Sequence, residues 1–217
     1  GIRAGRKLSM FKLGQLASAA PPAVSPRCIP LSAYMTTLPP AADAASADSP
    51  TPIVGILVGG QSDLRVMNAA ADMLRQFQVP FELTLVSPHR TPHRLVDYAE
   101  SARKRGIRVI IAGGGGAAHL PGMVAAFTTL PVIGVPINTP TSLNGLDSIL
   151  SMLQMPTGVP VATVALDNAA NAAVLAVSML ALSNPRLADA LEKYRAALRD
   201  KVMRTVDELR KGGLDDI

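Results

Sequence analysis

The sequence predicts a three-layer α/β sandwich in which a five-stranded parallel sheet lies between two layers of helices. Short apolar runs without polar alternation are typical of strands that are buried on both faces. Between residues 53 and 183, each such run is followed by a segment with helical spacing. Right-handed connections between these units make the strands parallel. The simplest strand order is the flavodoxin-like, or Rossmann-like, order 2-1-3-4-5.

Each strand of the predicted sheet is a mainly apolar run that ends at a glycine, a proline or a polar residue. The five runs span residues 53–58, 81–86, 109–112, 132–135 and 161–166. The helices between them place apolar residues three and four positions apart, which indicates one buried face. The third of these helices begins near His119, and the fifth spans residues 169–182 and is apolar nearly all round. The α/β domain is therefore predicted to span residues 53–183.

Residues 184–217 are predicted to form a C-terminal helical extension. Beyond Pro185, apolar residues at spacings of three and four form a narrow stripe opposite a heavily charged face. Such a stripe needs covering, and so does the alanine-rich helix 169–182, which has little polar surface. We expect contacts between subunits for both helices. Packing within their own subunit is the alternative.

Residues 1–52 are predicted to be a disordered or targeting extension, because they are rich in Ala, Pro and Ser and lack a sustained hydrophobic period. No acidic residue precedes Asp43, and scattered Arg, Lys and Ser residues are typical of an organellar transit peptide. A translated upstream stretch, with Met35 as an alternative start, fits equally well. The predicted location is the cytoplasm, or a plastid or mitochondrion if these residues are a transit peptide. No stretch reaches the roughly 18 apolar residues of a membrane span.

The formal net charge of +5 raises the question of a nucleic-acid partner. Residues 1–52 carry five basic and two acidic side chains, so three of the five excess charges lie outside the predicted domain. Aromatic residues make up only 3% of the chain, which argues against stacking on nucleobases. We therefore expect no nucleic-acid partner. The single Cys28 cannot form an internal disulfide, and three histidines without clustered acids do not predict a metal site.

In an open parallel sheet, ligands bind at the carboxyl ends of the strands. After the first predicted strand, Gly59, Gly60, Ser62 and Asp63 lead into a helix. Glycines let backbone N–H groups approach an anion and a helix N-terminus adds positive charge, so this turn could hold a phosphate. Asp63 could instead accept hydrogen bonds from sugar hydroxyls. The alternative is that Ser62 or Asp63 is simply the N-cap of the helix.

The loop after the second strand contains Ser87, His89 and Arg90. Arg90 supplies a cationic fork for a phosphate or carboxylate, and Ser87 supplies a hydroxyl donor. His89 is the side chain best suited to moving a proton near neutral pH. The alternative is structural: Thr91 caps the next helix, Pro92 is its first residue, and His89 is an ordinary polar loop residue.

The segment after the third strand has glycine at all four positions 113–116, and His119 is the only polar side chain before residue 123. A wall of glycine and alanine lets a flat ligand approach the backbone closely. Tight packing of a strand on a helix is the alternative. The three histidines of the chain, His89, His93 and His119, all lie in these loops or in the first helical turn after one.

Four ordered segments carry a family resemblance: S-x-H-R-T-P at 87–92, GGAAHLPGM at 115–123, LPVIGVP at 130–136 and QMP-x-GVPV at 154–161. On these residues the chain resembles, over about 53–183, the carboxyaminoimidazole ribonucleotide mutases of purine biosynthesis. This family is also called the catalytic subunit of phosphoribosylaminoimidazole carboxylase. The resemblance implies a homo-octameric enzyme without metal or organic cofactor. Such an enzyme would move a carboxylate from the exocyclic nitrogen of a small aminoimidazole ribonucleotide to a ring carbon. It would be linked functionally to the ATP-dependent carboxyaminoimidazole ribonucleotide synthase.

The resemblance also implies roles for the candidate residues. His89 would be the catalytic residue, moving a proton while carbon dioxide is released and recaptured, and Asp63 would bind the ribose hydroxyls. The phosphate would be held by Arg90, Ser62 and Ser87, and the imidazole and carbon dioxide would be lined by residues 115–120, including Gly115, Gly116, His119 and Leu120.

Three positions depart from the family pattern. Gly60 stands where the family usually has a substrate-binding serine, and Pro88 and Gly114 each replace an alanine. Arg90 stands where the direct carboxylase branch tends to have lysine, which favours the mutase. A direct carboxylase that uses free carbon dioxide, and an inactive nucleotide-binding homologue, are the alternatives.

Overall fold

The computed structural model describes residues 51–212. Its strands are β1 (Val54–Val58), β2 (Phe81–Leu85), β3 (Val109–Gly115), β4 (Val132–Ile137) and β5 (Ala162–Thr163). Its helices are α1 (Leu64–Gln76), α2 (Pro92–Ala102), α3 (His119–Ala126), α4 (Leu146–Leu153), α5 (Ala169–Ala181) and α6 (Pro185–Gly212). A short 3-10 turn, Gln61–Asp63, precedes α1. Residues 1–50 of the predicted N-terminal extension lie outside the described residues.

The five strands form one parallel sheet in the order β2-β1-β3-β4-β5, which confirms the predicted fold class and strand order. Alternate residues of the central strands enter two separate cores. Ile56 and Ile111 face a core shared with α1 and α5, whereas Leu57 and Ile110 face a core shared with α2 and α3. Burial on both faces explains why these strands read as unbroken apolar runs.

Two central strands are longer than predicted. β3 continues through Gly115 instead of ending at residue 112, and β4 continues past Pro136 to Ile137. The two strands pair from Ile110 opposite Val132 to Gly115 opposite Ile137. Glycine and proline normally mark strand ends in a sequence, but here the pairing between neighbours carries the ladder through them. Residues 113–115 are therefore strand and not loop.

The fifth strand is much shorter than the predicted run 161–166, since only Ala162 and Thr163 pair with β4. Pro136 explains part of the difference. It has no N–H to donate to the edge strand, and its carbonyl instead accepts a hydrogen bond from the N–H of Asp167 at 2.9 Å. The chain then leaves the sheet and enters α5.

The last two helices differ in how their apolar faces are covered. α5 buries six residues, including Ala172, Ala173 and Ala176, within its own chain, which is the alternative that the sequence left open. The first half of α6 packs in the same way: Leu187 is buried, and the Tyr194 ring meets the Phe77 ring edge-on at 5.4 Å. From Leu198 onward, α6 exposes four large apolar side chains, which are Leu198, Val202, Met203 and Leu209. Within residues 51–212, no helix is both long and apolar enough to cross a membrane.

Candidate active site

The candidate residues gather at the carboxyl ends of β1, β2 and β3. β1 lies between β2 and β3. The chain therefore passes from β1 to its neighbour on one side and then crosses over to its neighbour on the other side. This is the topological switch point, where the loops diverge and leave a crevice. The elements that follow the three strands are the 3-10 turn, the loop of residues 86–91, and the segment of residues 116–118 that opens α3.

Asp63 closes the turn after β1. Its Oδ2 atom accepts a hydrogen bond from the Gly60 N–H at 3.0 Å, and its Oδ1 atom lies 3.4 Å from the Ser62 hydroxyl, which donates to it. The side chain is only 6% exposed. Burial raises the pKa of this carboxyl above its ordinary value, while the N–H groups of Gly60 and Gly59 and the Ser62 hydroxyl oppose the rise. Asp63 therefore holds the turn in shape, and α1 begins directly after it.

Arg90 links the loop after β2 to the loop after β1. Its Nε atom and its backbone N–H both donate to the Ser87 hydroxyl oxygen at 3.2 Å, and its Nη2 atom donates to the Gly59 carbonyl at 3.4 Å. Ser87 is 4% exposed. The hydroxyl of Ser87 thus holds the guanidinium of Arg90 between the loops that follow β1 and β2.

The loop after β2 leads into α2 as the structural alternative predicts, although the Thr91 side chain bonds back into the loop and makes no capping hydrogen bond to the helix. Thr91 occupies the N-cap position of α2 and Pro92 is its first residue, as predicted. The Thr91 hydroxyl accepts a hydrogen bond from the Ser87 N–H and donates to the Ser87 carbonyl, both at 3.0 Å. It therefore fixes the loop and leaves the adjacent His89 and Arg90 exposed.

His89 and His119 are in direct contact, which the sequence did not reveal. The Nε2 atom of His89 lies 2.8 Å from the Nδ1 atom of His119, and the ring planes meet at 81°. One of the two nitrogens donates and the other accepts, so the contact holds a single proton between the rings. The third histidine, His93, lies exposed in the first turn of α2.

The glycines at positions 113–116, called the glycine wall below, have different surroundings. A Cβ atom on Gly113 would overlap the Met67 side chain, and one on Gly115 would overlap the Thr139 side chain, so these two glycines are required by packing. Gly116 has φ +62°, and no heavy atom of the described residues lies within 4 Å of the Cβ that it lacks. Gly116 is therefore the part of the wall that remains open to a ligand.

Leu120 differs from the other candidates, because its side chain is 1% exposed and belongs to the core shared with α2 and α3. Only its backbone, in the first turn of α3, can face the crevice. Next to it, the Ala118 N–H donates to the Ser151 hydroxyl at 3.1 Å, which ties the start of α3 to α4. Ser151 lies within an ordinary helical pattern, and nothing in its sequence context indicates this contact.

The side chains in the crevice can bind an anion and move a proton. Among residues 51–212, no three His, Cys, Asp or Glu side chains are grouped closely enough to hold a metal ion. Parallel-sheet topology with an arginine, a buried aspartate and a histidine pair at the switch point defines an α/β enzyme for a small anionic substrate. The comparisons with known proteins then identify the family.

The family model for AIR carboxylase matches residues 53–201. The N5-carboxyaminoimidazole ribonucleotide mutase of Synechocystis sp. is 54% identical over 165 residues, which cover 76% of this chain and 93% of that protein. The chloroplastic phosphoribosylaminoimidazole carboxylase of Vigna aconitifolia is 53% identical over 161 residues, covering 74% of this chain but 29% of that protein. The crystal structure of Treponema denticola PurE aligns with a TM-score of 0.66 at 27% identity and covers 73% of this chain and 98% of that one. The chain belongs to the AIR carboxylase family.

Proposed function

We propose that this protein is an N5-carboxyaminoimidazole ribonucleotide mutase of purine biosynthesis. The observation that carries the proposal is the His89–His119 contact of 2.8 Å at the switch point of a chain that belongs to this family. Because His119 engages one ring nitrogen of His89, the other ring nitrogen is left to donate a proton and accept it again within one catalytic cycle. The direct carboxylase is not favoured, because the mutase from Synechocystis matches over 93% of its length.

The reaction needs one proton to be moved and none to be consumed. When the carboxylate leaves the exocyclic nitrogen as carbon dioxide, that nitrogen takes up a proton. When the ring carbon attacks carbon dioxide, the new C–C bond forms and the same carbon loses its proton. His89 serves both steps, and His119 holds its imidazole in place. Carbon dioxide is neutral and weakly bound, so it is retained by a closed pocket that excludes water.

The remaining candidates bind the ribonucleotide. Arg90, aimed by Ser87, meets the phosphate together with the Ser62 hydroxyl. The Asp63 carboxylate accepts hydrogen bonds from the ribose hydroxyls. Gly60 contributes a backbone contact where the family usually has a serine. Gly115, Gly116, His119 and the backbone of Leu120 line the binding site for the imidazole and the carbon dioxide.

The proposal includes the assembly and the partners implied by the family resemblance. The enzyme is a homo-octamer, works without a metal or organic cofactor, and acts after the ATP-dependent carboxyaminoimidazole ribonucleotide synthase. Apolar side chains exposed on α4 and on α6 from Leu198 onward support subunit contacts; they are Leu146, Leu150, Leu153, Leu198, Val202 and Leu209. The enzyme is located in the cytoplasm, or in an organelle if residues 1–52 are a transit peptide. The Vigna aconitifolia relative is a chloroplastic protein, which supports the plastid as that organelle.

A paired-substrate assay tests the function. The purified chain, and a version that begins at Thr51, are each given N5-carboxyaminoimidazole ribonucleotide, or aminoimidazole ribonucleotide with a low concentration of bicarbonate. The mutase converts the first substrate rapidly and the second slowly. Turnover of the second mixture alone would establish the direct carboxylase instead, and binding without any turnover would establish an inactive homologue.

A further inference from the structure

Three polar contacts hold Asn138, the first residue after β4. The Arg65 Nη2 atom, on α1, donates to the Asn138 carbonyl at 2.6 Å. The Asn138 N–H donates to the Asp167 Oδ1 atom at 3.0 Å, and the Ser142 hydroxyl donates to the Asn138 Oδ1 atom at 2.7 Å. Two distant segments of the chain and a residue of its own loop therefore fix Asn138, and neither Arg65 nor Asp167 belongs to the site described above.

The contacts to the Asn138 backbone involve groups of opposite charge. A cation binds the carbonyl and an anion binds the N–H, and charge-assisted hydrogen bonds of this kind are stronger than neutral ones. Asp167 also has φ +56°, a left-handed conformation that residues other than glycine seldom adopt. Such a conformation persists where the surroundings determine it fully. The position of Asn138 is thus held on both sides of its backbone.

The residue that follows Asn138 meets the glycine wall. The Thr139 side chain fills the space that a Cβ on Gly115 would occupy, and the Ile137 carbonyl borders the same space. Gly115 lies in the segment proposed to line the imidazole and the carbon dioxide. The position of Asn138 consequently sets how closely Thr139 packs against Gly115.

We propose that Arg65 and Asp167 are positioning residues that hold the Asn138–Thr139 segment against Gly115, and that this packing retains carbon dioxide between its release and its recapture. The inference rests on the proposed mutase function. Neither residue touches the reacting atoms in this account. Their loss opens the pocket, so carbon dioxide escapes and the ribonucleotide is released without its carboxylate.

The test measures how N5-carboxyaminoimidazole ribonucleotide is partitioned between carboxylated product and free aminoimidazole ribonucleotide, after subtraction of a blank without enzyme. In Arg65→Ala and Asp167→Gly we expect the ratio of free to carboxylated product to rise at least about threefold, with KM changed less than about twofold. Glycine suits the left-handed conformation, so Asp167→Gly removes the carboxylate without adding strain. Asp167→Asn keeps an acceptor oxygen and tolerance of that conformation but loses the charge, so we expect its ratio to lie between those of the wild type and Asp167→Gly.

Arg75→Ala is the matched control, because Arg75 lies on the same helix and pairs with Asp72 at the surface. Arg65 also faces Asp63, so its charge could act there instead; that route predicts no effect of Asp167→Gly. An unchanged ratio in either test variant, or equal leakage in Asp167→Asn and Asp167→Gly, would overturn the inference. If Asp167→Gly does not fold, the exposed Arg65 still decides the question through Arg65→Ala. Failure of the proposed function is distinguishable, since the wild type would then form no carboxylated product.

Discussion

The His89 Nε2 atom lies 2.8 Å from the His119 Nδ1 atom, although 30 positions separate the two residues in the chain. β2 and β3 are the two neighbours of β1, and the segments that follow them place the two rings at the same edge of the sheet. The contact orients the ring of His89 and fixes which nitrogen is free to face a substrate. In the proposed mechanism His89 carries the proton, and the contact with His119 holds its ring in place.

The substitution His89→Asn tests the proton-transfer role. Asparagine retains a polar side chain but does not move a proton near neutral pH, so we expect kcat to fall by about 10³-fold or more. Binding of the ribonucleotide, measured by calorimetry, should change less than about threefold, because the phosphate and ribose contacts remain. His93→Asn, in the first turn of α2, is the matched control and should keep wild-type turnover. Unchanged turnover in His89→Asn would contradict the role assigned to His89.

The substitution Gly60→Ser tests whether this chain can use the substrate-binding serine that the family usually has at this position. Gly60 has extended backbone angles, which any residue adopts, and a Cβ there would lie 3.6 Å from the Ser62 Oγ and 3.7 Å from the Arg90 Nη2. These are ordinary contacts, so the serine fits without strain. The added hydroxyl supplies a hydrogen bond worth about 0.5–1.5 kcal/mol, and we expect KM to fall about two- to tenfold at unchanged kcat. A higher KM would show that Gly60 is adapted to its site.

The substitution Asp63→Asn separates stability from binding. Burial raises the pKa of the Asp63 carboxyl above its ordinary value of 3.8, so the folded protein holds this proton more tightly than the unfolded chain. The carboxyl then favours folding below pH 3.8, and this contribution is lost as the pH rises through the folded-state pKa. Asparagine avoids the buried charge and still accepts from Gly60. Thermal unfolding should show Asp63→Asn gaining stability over the wild type at pH 7 and losing that advantage near pH 3, while ribonucleotide binding weakens at pH 7. Equal unfolding temperatures at both pH values would refute the burial argument.

The pair Gly55 and Tyr98 tests the packing of α2 on the sheet. Within residues 51–212, the buried Tyr98 hydroxyl has no hydrogen-bond partner, and a Cβ on Gly55 would overlap it. We expect Gly55→Ala to lower the free energy of unfolding by about 1–3 kcal/mol, as overpacking does. Tyr98→Phe removes the overlapping oxygen, so Gly55→Ala should cost less in that background. Denaturant unfolding of the four proteins in this double-mutant cycle measures the difference, and additive effects would contradict the contact.

The sheet was predictable because each central strand is buried on both faces and therefore consists of an unbroken run of mainly apolar residues. The ends of strands were less predictable. Glycines 113–115 have weak strand propensity of their own, and only their pairing with β4 keeps them in the sheet. Likewise, the sequence could not show that Gly113 and Gly115 are needed by Met67 and Thr139, since those contacts arise from the packing of other elements.

The candidate site was predictable to the extent that it follows strand ends. Gly60, Asp63, His89 and Arg90 all lie in loops whose position the topology determines. The contacts among side chains were not predictable from spacing. Arg65 and Asn138 are 73 positions apart, and nothing in either local pattern indicates that α1 and the loop after β4 approach each other.

The carboxyl group itself provides the most direct test of the mutase reaction. N5-carboxyaminoimidazole ribonucleotide labelled with ¹³C in its carboxylate is converted by the wild-type protein in the presence of unlabelled bicarbonate, and the product is analysed by mass spectrometry. A mutase that recaptures its own carbon dioxide gives a product that retains the label. A product that carries carbon from the bicarbonate pool would contradict the account, because the carboxyl group would then have left the pocket before the new C–C bond formed.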